Sequence, residues 1–212
     1  MLVQHRGQPS THDIQLALAV LSELRSGQAT EIPLYDKSAF DGQGDRLPRE
    51  QWQKVNLPGM APVGIVIIEG WCLGFRALSD GLLKAKWEAA VLQHATGSYR
   101  GRLAFCGYAD VSFTNQALKA YDQLTDQIHV LIHLDAKDPM FCYRWRLEQE
   151  MTLRQVHQTG MTEDQITQFV DAYFPAYELY VDGLRSARVP SKGDQIRLVL
   201  DRQRNVERAV VK

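Results

Sequence analysis

The sequence predicts an α/β protein with a mainly parallel sheet, and three observations carry that prediction. Two runs rich in branched residues, "GIVII" at 64–68 and "HVLIHL" at 129–134, have the pattern of strands buried on both faces. Segments of helical period precede, separate and follow them. Each run ends on a single acid, Glu69 or Asp135. At 212 residues the chain is expected to form one such domain, 1–212, and 45% hydrophobic content supplies a sizeable core.

Taken in order, "PSTHDIQLALAVLSELRSG" predicts a helix. Ser10 and Asp13 form an acidic variant of the capping box, Ile14, Ala17, Leu18, Leu21 and Leu24 recur at helical spacing, and Gly27 closes it. "EIPLY" predicts a short strand. Residues 36–61 predict a loop punctuated by Gly42, Gly44, Pro48, Pro58 and Gly59. After the strand at 64–68, residues 79–95 predict a helix, and 96–113 fit neither period. "TNQALKAYDQLTDQ" predicts an amphipathic helix leading into "IHVLIHLDA". "DPMFCYRWRLEQEMTLRQV" predicts a long helix. "MTEDQITQFVDAYFPAYELYVDGLR" starts at a Thr162/Gln165 capping box and is expected to be interrupted at Pro175, which would set Tyr177 and Tyr180 on a shifted second helix. The tail, "DQIRLVLDRQRNVERAVVK", predicts a strand and a charged end.

Composition narrows the partners. A net charge of −1, from 24 basic and 25 acidic residues, provides no basic excess for a nucleic-acid backbone or an anionic membrane. Cys72, Cys106 and Cys142 are odd in number, widely spaced and without a C-x-x-C, as expected of buried reduced thiols. "MLVQHRGQPS" has no apolar signal core and "GIVII" is too short to span a bilayer, so a soluble, cytoplasmic protein is expected.

In open α/β sheets, ligands bind beyond the carboxyl ends of the strands, which selects Asp36 and Lys37, Glu69 and Gly70, and Asp135. "IVIIEG" is of Walker-B type, a strand delivering one acid to a magnesium-bound nucleotide, and Mg²⁺ needs only one or two protein carboxylates beside phosphate oxygens and water. Buried strands ending in an acid are common in themselves. Arg144, Arg146 and Arg154 suit the neutralisation of phosphate charge, although Arg146 and Glu150 are also i,i+4 partners of an ordinary solvated helix face. Asp13 in isolation reads as a helix start, and "DAYFPAYELY" as core.

The order of these motifs resembles the phosphoribulokinase and uridine kinase class of P-loop kinases. In detail it is most similar to the D-glycerate 3-kinase family of plants, fungi and cyanobacteria. The motifs that carry the resemblance are "RGQPSTHD", "YDKSAFDGQGDR", "EGWCLGF", "YRWRLEQE" and "GMTEDQITQFVDAYFPAYELY", and it runs from residue 3 to about residue 185. It implies a P-loop NTPase-like (Rossmann-like) three-layer α/β/α fold and phosphoryl transfer from MgATP to the 3-hydroxyl of D-glycerate. It also implies that Glu69 sits by the Mg²⁺ and γ-phosphate, holding the metal directly or through water. Thr11, His12, Asp13, Tyr35, Asp36, Lys37 and Arg46 would line the acceptor, and Arg144, Arg146 and Arg154 would lie on a lid-like helix. Lys37 and Arg46 suit a carboxylate-bearing acceptor, because an anion needs charged or bidentate donors.

The first strand and the Walker A loop of such a kinase are absent from these residues, since no G-x-x-x-x-G-K-[ST] occurs. The chain is therefore expected to be the C-terminal part of a kinase. The competing expectation is a catalytically inactive, Walker-A-less relative that serves as a binding or assembly module. An unrelated enzyme using Glu69 and His12 as base and acid is not supported, because neither a nucleophile elbow nor metal-ligand spacing accompanies them. An in-frame Walker A motif in the DNA upstream of Met1 would distinguish the first two.

Overall fold

Residues 6–40, 42–157, 160–187, 189 and 193–212 are described by the computed structural model of the chain. Helix α1 (Ile14–Arg25) buries Ile14 and Leu24. Its cap differs from the expected Ser10–Asp13 pair. Asp13 is itself the N-cap, accepting from the Leu16 N–H at 3.0 Å, while Ser10 stands outside the helix at φ +89°. A carboxylate one residue before a helix reaches the third helical N–H directly, so no partner is needed. Gly27 ends the helix at φ +68° as expected.

The stretch 30–55 folds into two small antiparallel ladders. β1 (Thr30–Ile32) pairs with β4 (Gln53–Val55), and β2 (Tyr35–Asp36) pairs with β3 (Asp45–Arg46). "EIPLY" is thus divided at Pro33, which has no N–H for a ladder. The expected loop at 36–61 supplies both return strands.

"GIVII" is not a strand. Ile65 is 82% and Ile67 89% exposed, and no described strand pairs with this segment. Branched residues favour a strand only where neighbouring strands and packing surfaces receive it, and here none does. The chain turns inward at Trp71, Cys72 and Phe75. Helix α2 (Asp80–Ala95), capped by Ser79, matches the expectation for 79–95. Residues 96–113 resolve into a 3-10 turn at Leu103–Phe105 and the start of α3 (Tyr108–Leu118). The helix expected over 114–127 is broken by a 3-10 turn at Lys119–Tyr121 before the short α4 (Asp122–Thr125).

β5 (Val130–Ala136) is parallel to β6 (Asp194–Leu200), and β7 (Val206–Val211) is antiparallel to β6, giving a three-stranded sheet in the order β5-β6-β7. Among the described residues only one strand pair is parallel. The sheet is mixed rather than mainly parallel, and the tail is a hairpin rather than one strand. β5 is buried on one face only: Leu131 and Asp135 point inward, while Val130, Ile132 and Leu134 are 54%, 59% and 64% exposed. Its second edge has no strand partner among the described residues.

Between β5 and β6 run α5 (Phe141–His157) and α6 (Glu163–Ser186). The Thr162/Gln165 capping box forms as expected. The expected break at Pro175 does not, and α6 continues through it. Pro175 is fully buried beside Phe174, Ala176, Leu179 and Tyr180, whose packing offsets the lost backbone bond. Tyr177 and Tyr180 accordingly share one helix. The α6 residues Ala176, Leu179, Tyr180 and Leu184 meet Phe75, Leu83, Leu103, Val111, Leu118 and Leu131 in the main core. Three free thiols accompany them, Cys72 buried and Cys106 and Cys142 half-buried. Burial pushes the pKa of Cys72 and of Cys106 up to about 11. No described helix is long and apolar enough to cross a membrane.

Two carboxylates fasten α6. Glu178 accepts from the Tyr99 hydroxyl and from the backbone N–H groups of Arg102 (2.7 Å) and Leu103 (3.1 Å). Asp135, 2% exposed, accepts from Arg185 of α6 at 2.8 Å and from Arg197 of β6 at 2.6 Å. Burial alone would raise the Asp135 pKa, but the hydrogen bonds from Arg185 and Arg197 hold it below the usual carboxylate value.

Asp135→Asn should cost about 3–5 kcal/mol, because it leaves two arginines facing a neutral amide. A depressed carboxylate pKa contributes stability above its unfolded value and loses it as pH falls through the folded one. Urea unfolding should therefore show a loss of wild-type stability below about pH 4 that is weaker in Asp135→Asn. By contrast, Ile67→Lys and Ile132→Lys should each change stability at pH 7 by no more than about 0.5 kcal/mol, since both side chains already face solvent. A loss several times larger in the same urea titration would contradict that exposure.

Candidate functional site

The α1 N-terminus and the β2–β3 hairpin bring the expected acceptor residues to one surface. Tyr35 lies opposite Arg46 in the hairpin register, and Asp36 opposite Asp45. Arg46 then reaches out of the hairpin to Asp13, Nη2 to Oδ2 at 3.0 Å. Three separate sequence segments, 11–13, 35–37 and 46, are joined in this way. The Asp13 carboxyl is held below the usual range first by the Leu16 N–H and then by Arg46. Both partners are substantially exposed, at 41% and 43%, so the pair orients the guanidinium more than it stabilises the fold.

The individual roles are unequal. His12 Nδ1 lies 2.6 Å from the hydroxyl of the buried Tyr121, and burial lowers the His12 pKa, favouring the neutral ring. Burial pushes the Tyr121 hydroxyl up to about 12. Thr11 Oγ1 accepts from the Gly7 N–H and donates to the Gln8 carbonyl, which closes a tight turn. Asp36 accepts from the Ser38 hydroxyl and N–H at 2.6 and 2.8 Å, bonds that lower its pKa and tie it to its own loop. Lys37 is exposed, and its ammonium has no ion-pair partner among the described residues. Asp41, in the same motif, lies outside the described residues.

The structure adds Arg6 to this group. Its guanidinium donates from Nη1 to the Lys37 carbonyl at 3.3 Å and to the Gly42 carbonyl, and lies 5.9 Å from the centre of the Tyr35 ring. Gly44, at φ +82°, is needed there, because a Cβ would lie 2.5 Å from the Tyr35 ring and 2.9 Å from Arg6 Nη1. Arg6 opens the motif "RGQPSTHD", but no spacing rule assigns it a role.

Glu69 is not bonded to this cluster among the described residues. It stands exposed after the unpaired 65–68 segment, with no hydrogen-bond or ion-pair partner among the described residues. Among the described residues the three lid-like arginines make no ion pair with it. Arg144 pairs with Glu148 at 2.6 Å. Arg146 pairs with Glu150 at 3.0 Å and lies 5.0 Å from the centre of the Phe169 ring. Arg154 is half-buried close to Gly160. The i,i+4 pairing of Arg146 with Glu150 is present, and Glu150 is buried rather than solvated, accepting also from the Met161 N–H. No group of three or more His, Cys, Asp or Glu side chains among the described residues is placed to hold a metal ion. A hollow of about 480 Å³ does exist elsewhere, at β6 and β7, lined by Lys137, Arg185, Arg197, Val199, Glu207 and Arg208. Its cations are largely taken up, by Asp135 for the two inner arginines and by Glu207 for Lys137.

No family model matches the chain. It is 34% identical over 205 residues to the uncharacterized kinase mug58 of Schizosaccharomyces pombe, covering 96% of this chain and 68% of that protein. It is 31% identical over 212 residues to the chloroplastic D-glycerate 3-kinase of Arabidopsis thaliana, covering 96% of this chain and 41% of that protein. Among solved structures, the D-glycerate 3-kinase of Cryptococcus neoformans superposes with a TM-score of 0.86 at 30% identity, covering 100% of this chain and 70% of the other. The chain thus spans from about two fifths to about two thirds of the length of these relatives. Relatedness at this level along almost the whole of the chain shows that it belongs to the family of D-glycerate 3-kinase and related kinases.

Proposed function

We propose that these residues form the acceptor-binding and acid-bearing part of an ATP-dependent kinase that phosphorylates the 3-hydroxyl of D-glycerate. The observation that carries the reading is the joining of segments 11–13, 35–37 and 46 through the Tyr35–Arg46 register and the Asp13–Arg46 pair. Lys37 and Arg46 receive the glycerate carboxylate. Arg46 commits only Nη2 to Asp13, which leaves its other N–H groups for an anion. Tyr35, Asp36 and Thr11 shape the loop around the acceptor, and neutral His12 borders it. Arg144, Arg146 and Arg154 carry positive charge toward the phosphates once α5 approaches them.

Glu69 is the Mg²⁺ residue of this reading, directly or through water. The fit is that of one exposed carboxylate without a competing protein partner, which is what a cation held mainly by phosphate oxygens and water requires. Bound MgATP would supply the phosphoryl group and much of the charge neutralisation. What these residues lack is a glycine-rich loop for the phosphates. The open β5 edge and the exposed Val130, Ile132 and Leu134 are suited to a further strand and helix, and we place a phosphate-binding strand–loop–helix there, completing a three-layer P-loop arrangement. The same open face favours the second reading, an assembly module without catalysis.

Calorimetric titration of the chain with D-glycerate tests the acceptor side. Binding should be measurable, and Lys37→Ala or Arg46→Ala should weaken it about tenfold or more, the loss of one charge-assisted hydrogen bond. Unchanged affinity in both variants would refute the assignment. In a polypeptide that also carries the phosphate-binding segment, Glu69→Gln should lower kcat for MgATP-dependent phosphorylation at least about 100-fold with little change in glycerate affinity. If that polypeptide shows no phosphorylation, the assembly-module reading is the better one.

A further inference from the structure

The acceptor loop is held only in part by its own bonds. Its own ladder is two residues per strand, Tyr35–Asp36 against Asp45–Arg46, too short to be stable alone. The turn between the strands closes on itself through the Gly44 N–H to the Ala39 carbonyl at 2.8 Å and the Gln43 N–H to the Phe40 carbonyl at 3.1 Å, and a further hold comes from outside it. Arg6 donates to the carbonyls of Lys37 and Gly42, one on each limb of the loop, and lies against Tyr35. The residues that follow Arg6 are in turn fastened to α6 and its aromatic neighbours. The Tyr173 hydroxyl donates to the Arg6 carbonyl at 2.8 Å, Trp71 Nε1 donates to the Gly7 carbonyl at 2.7 Å, and Gln8, 2% exposed, donates to the Ala172 carbonyl at 2.8 Å. Tyr173 packs on Phe169 with ring centres 4.9 Å apart, and Phe169 lies under Arg146 of α5. A continuous line of contacts thus runs from α5 through α6 to the loop that carries Lys37 and Arg46.

We propose that Arg6 is a positioning residue, a latch seated by Tyr173 that holds the two limbs of the acceptor loop, 36–40 and 42–46, in the geometry that binds the acceptor. The role needs a guanidinium. One nitrogen bridges two carbonyls on opposite limbs of the loop while the plane covers an aromatic ring, which an ammonium does not reproduce. Arg6 is not assigned contact with the acceptor. It acts through Lys37, whose carbonyl it fixes, and through Tyr35, which sits opposite Arg46. The functional half of this inference rests on the acceptor reading given above; the latch itself rests on the contacts alone.

The test uses the 212-residue chain and two readouts, the rate of tryptic cleavage after Lys37 and the affinity for D-glycerate by calorimetry. Arg6→Ala should speed cleavage about tenfold and weaken glycerate binding by a similar factor, since it removes a charge-assisted hydrogen bond, while the thermal midpoint stays near that of the wild type. Arg6→Lys should restore only part of each effect. Tyr173→Phe should produce a smaller change in the same direction and add little to Arg6→Ala in the double variant, because it acts by seating the backbone of the same residue. Cleavage as slow in a folded Arg6→Ala chain as in the wild type would overturn the latch. Faster cleavage with glycerate affinity unchanged would overturn its role in acceptor binding. A wild type that binds no glycerate, yet shows cleavage accelerated by Arg6→Ala, would overturn the acceptor reading and support the latch.

Discussion

The described fold is organised around one buried carboxylate. Asp135 is almost without solvent, and it sits where β5, β6 and α6 meet, with Arg197 contributed by the neighbouring strand and Arg185 by the helix that crosses over both. A parallel strand pair needs such a crossover, and the crossover here runs through both α5 and α6. The ion pairs therefore set the register of three elements far apart in sequence, a use of buried charge that apolar packing cannot easily replace because it is directional. The core residues of α6 on one side, and the exposed face of β5 on the other, follow from where that junction sits.

The acceptor cluster and Glu69 have different mechanical support. The acceptor cluster is made of a helix N-terminus and a short hairpin, elements of low intrinsic stability, and it is held by side-chain bonds to carbonyls. Glu69 lies on a segment with no ladder and little burial. Bound groups that bridge the two would therefore order both, so the energy of binding and the ordering of the site are coupled.

Much of this was legible from residue pattern where a local rule sufficed. The capping box at Thr162, the helix at 80–95 and the termination at Gly27 depend on neighbours within a few positions, and they were read correctly, whereas β5 forms where expected but is buried on one face and not on two. The misreadings share a cause of another kind. "GIVII" has the composition of a central strand, but strand formation depends on partners that composition cannot supply. Pro175 breaks an isolated helix, yet here the surrounding core outweighs one lost hydrogen bond. The parallel character of the sheet was inferred from apolar runs alternating with helices, whereas β7 returns antiparallel through a turn closed by the Asp201 carboxylate, which accepts from the N–H groups of Gln203 and Asn205. The residues of the acceptor cluster were named from motif resemblance, and their mutual contacts required coordinates. Arg6 stands at the head of the motif "RGQPSTHD" but received no role, because the motif does not distinguish a latch from a solvated side chain.

Glu178 carries a consequence for motion. The stretch from Tyr99 to Leu103 has almost no secondary structure of its own, and its amide groups at 102 and 103 are bonded to a carboxylate on α6 instead of to a strand or helix. One side chain thus substitutes for a ladder. Amide hydrogens held in this way exchange with solvent only when the helix that bears the acceptor moves or the carboxylate lets go. This loop is therefore protected by a bond to the helix that packs most deeply in the fold, although it is loop by every local criterion.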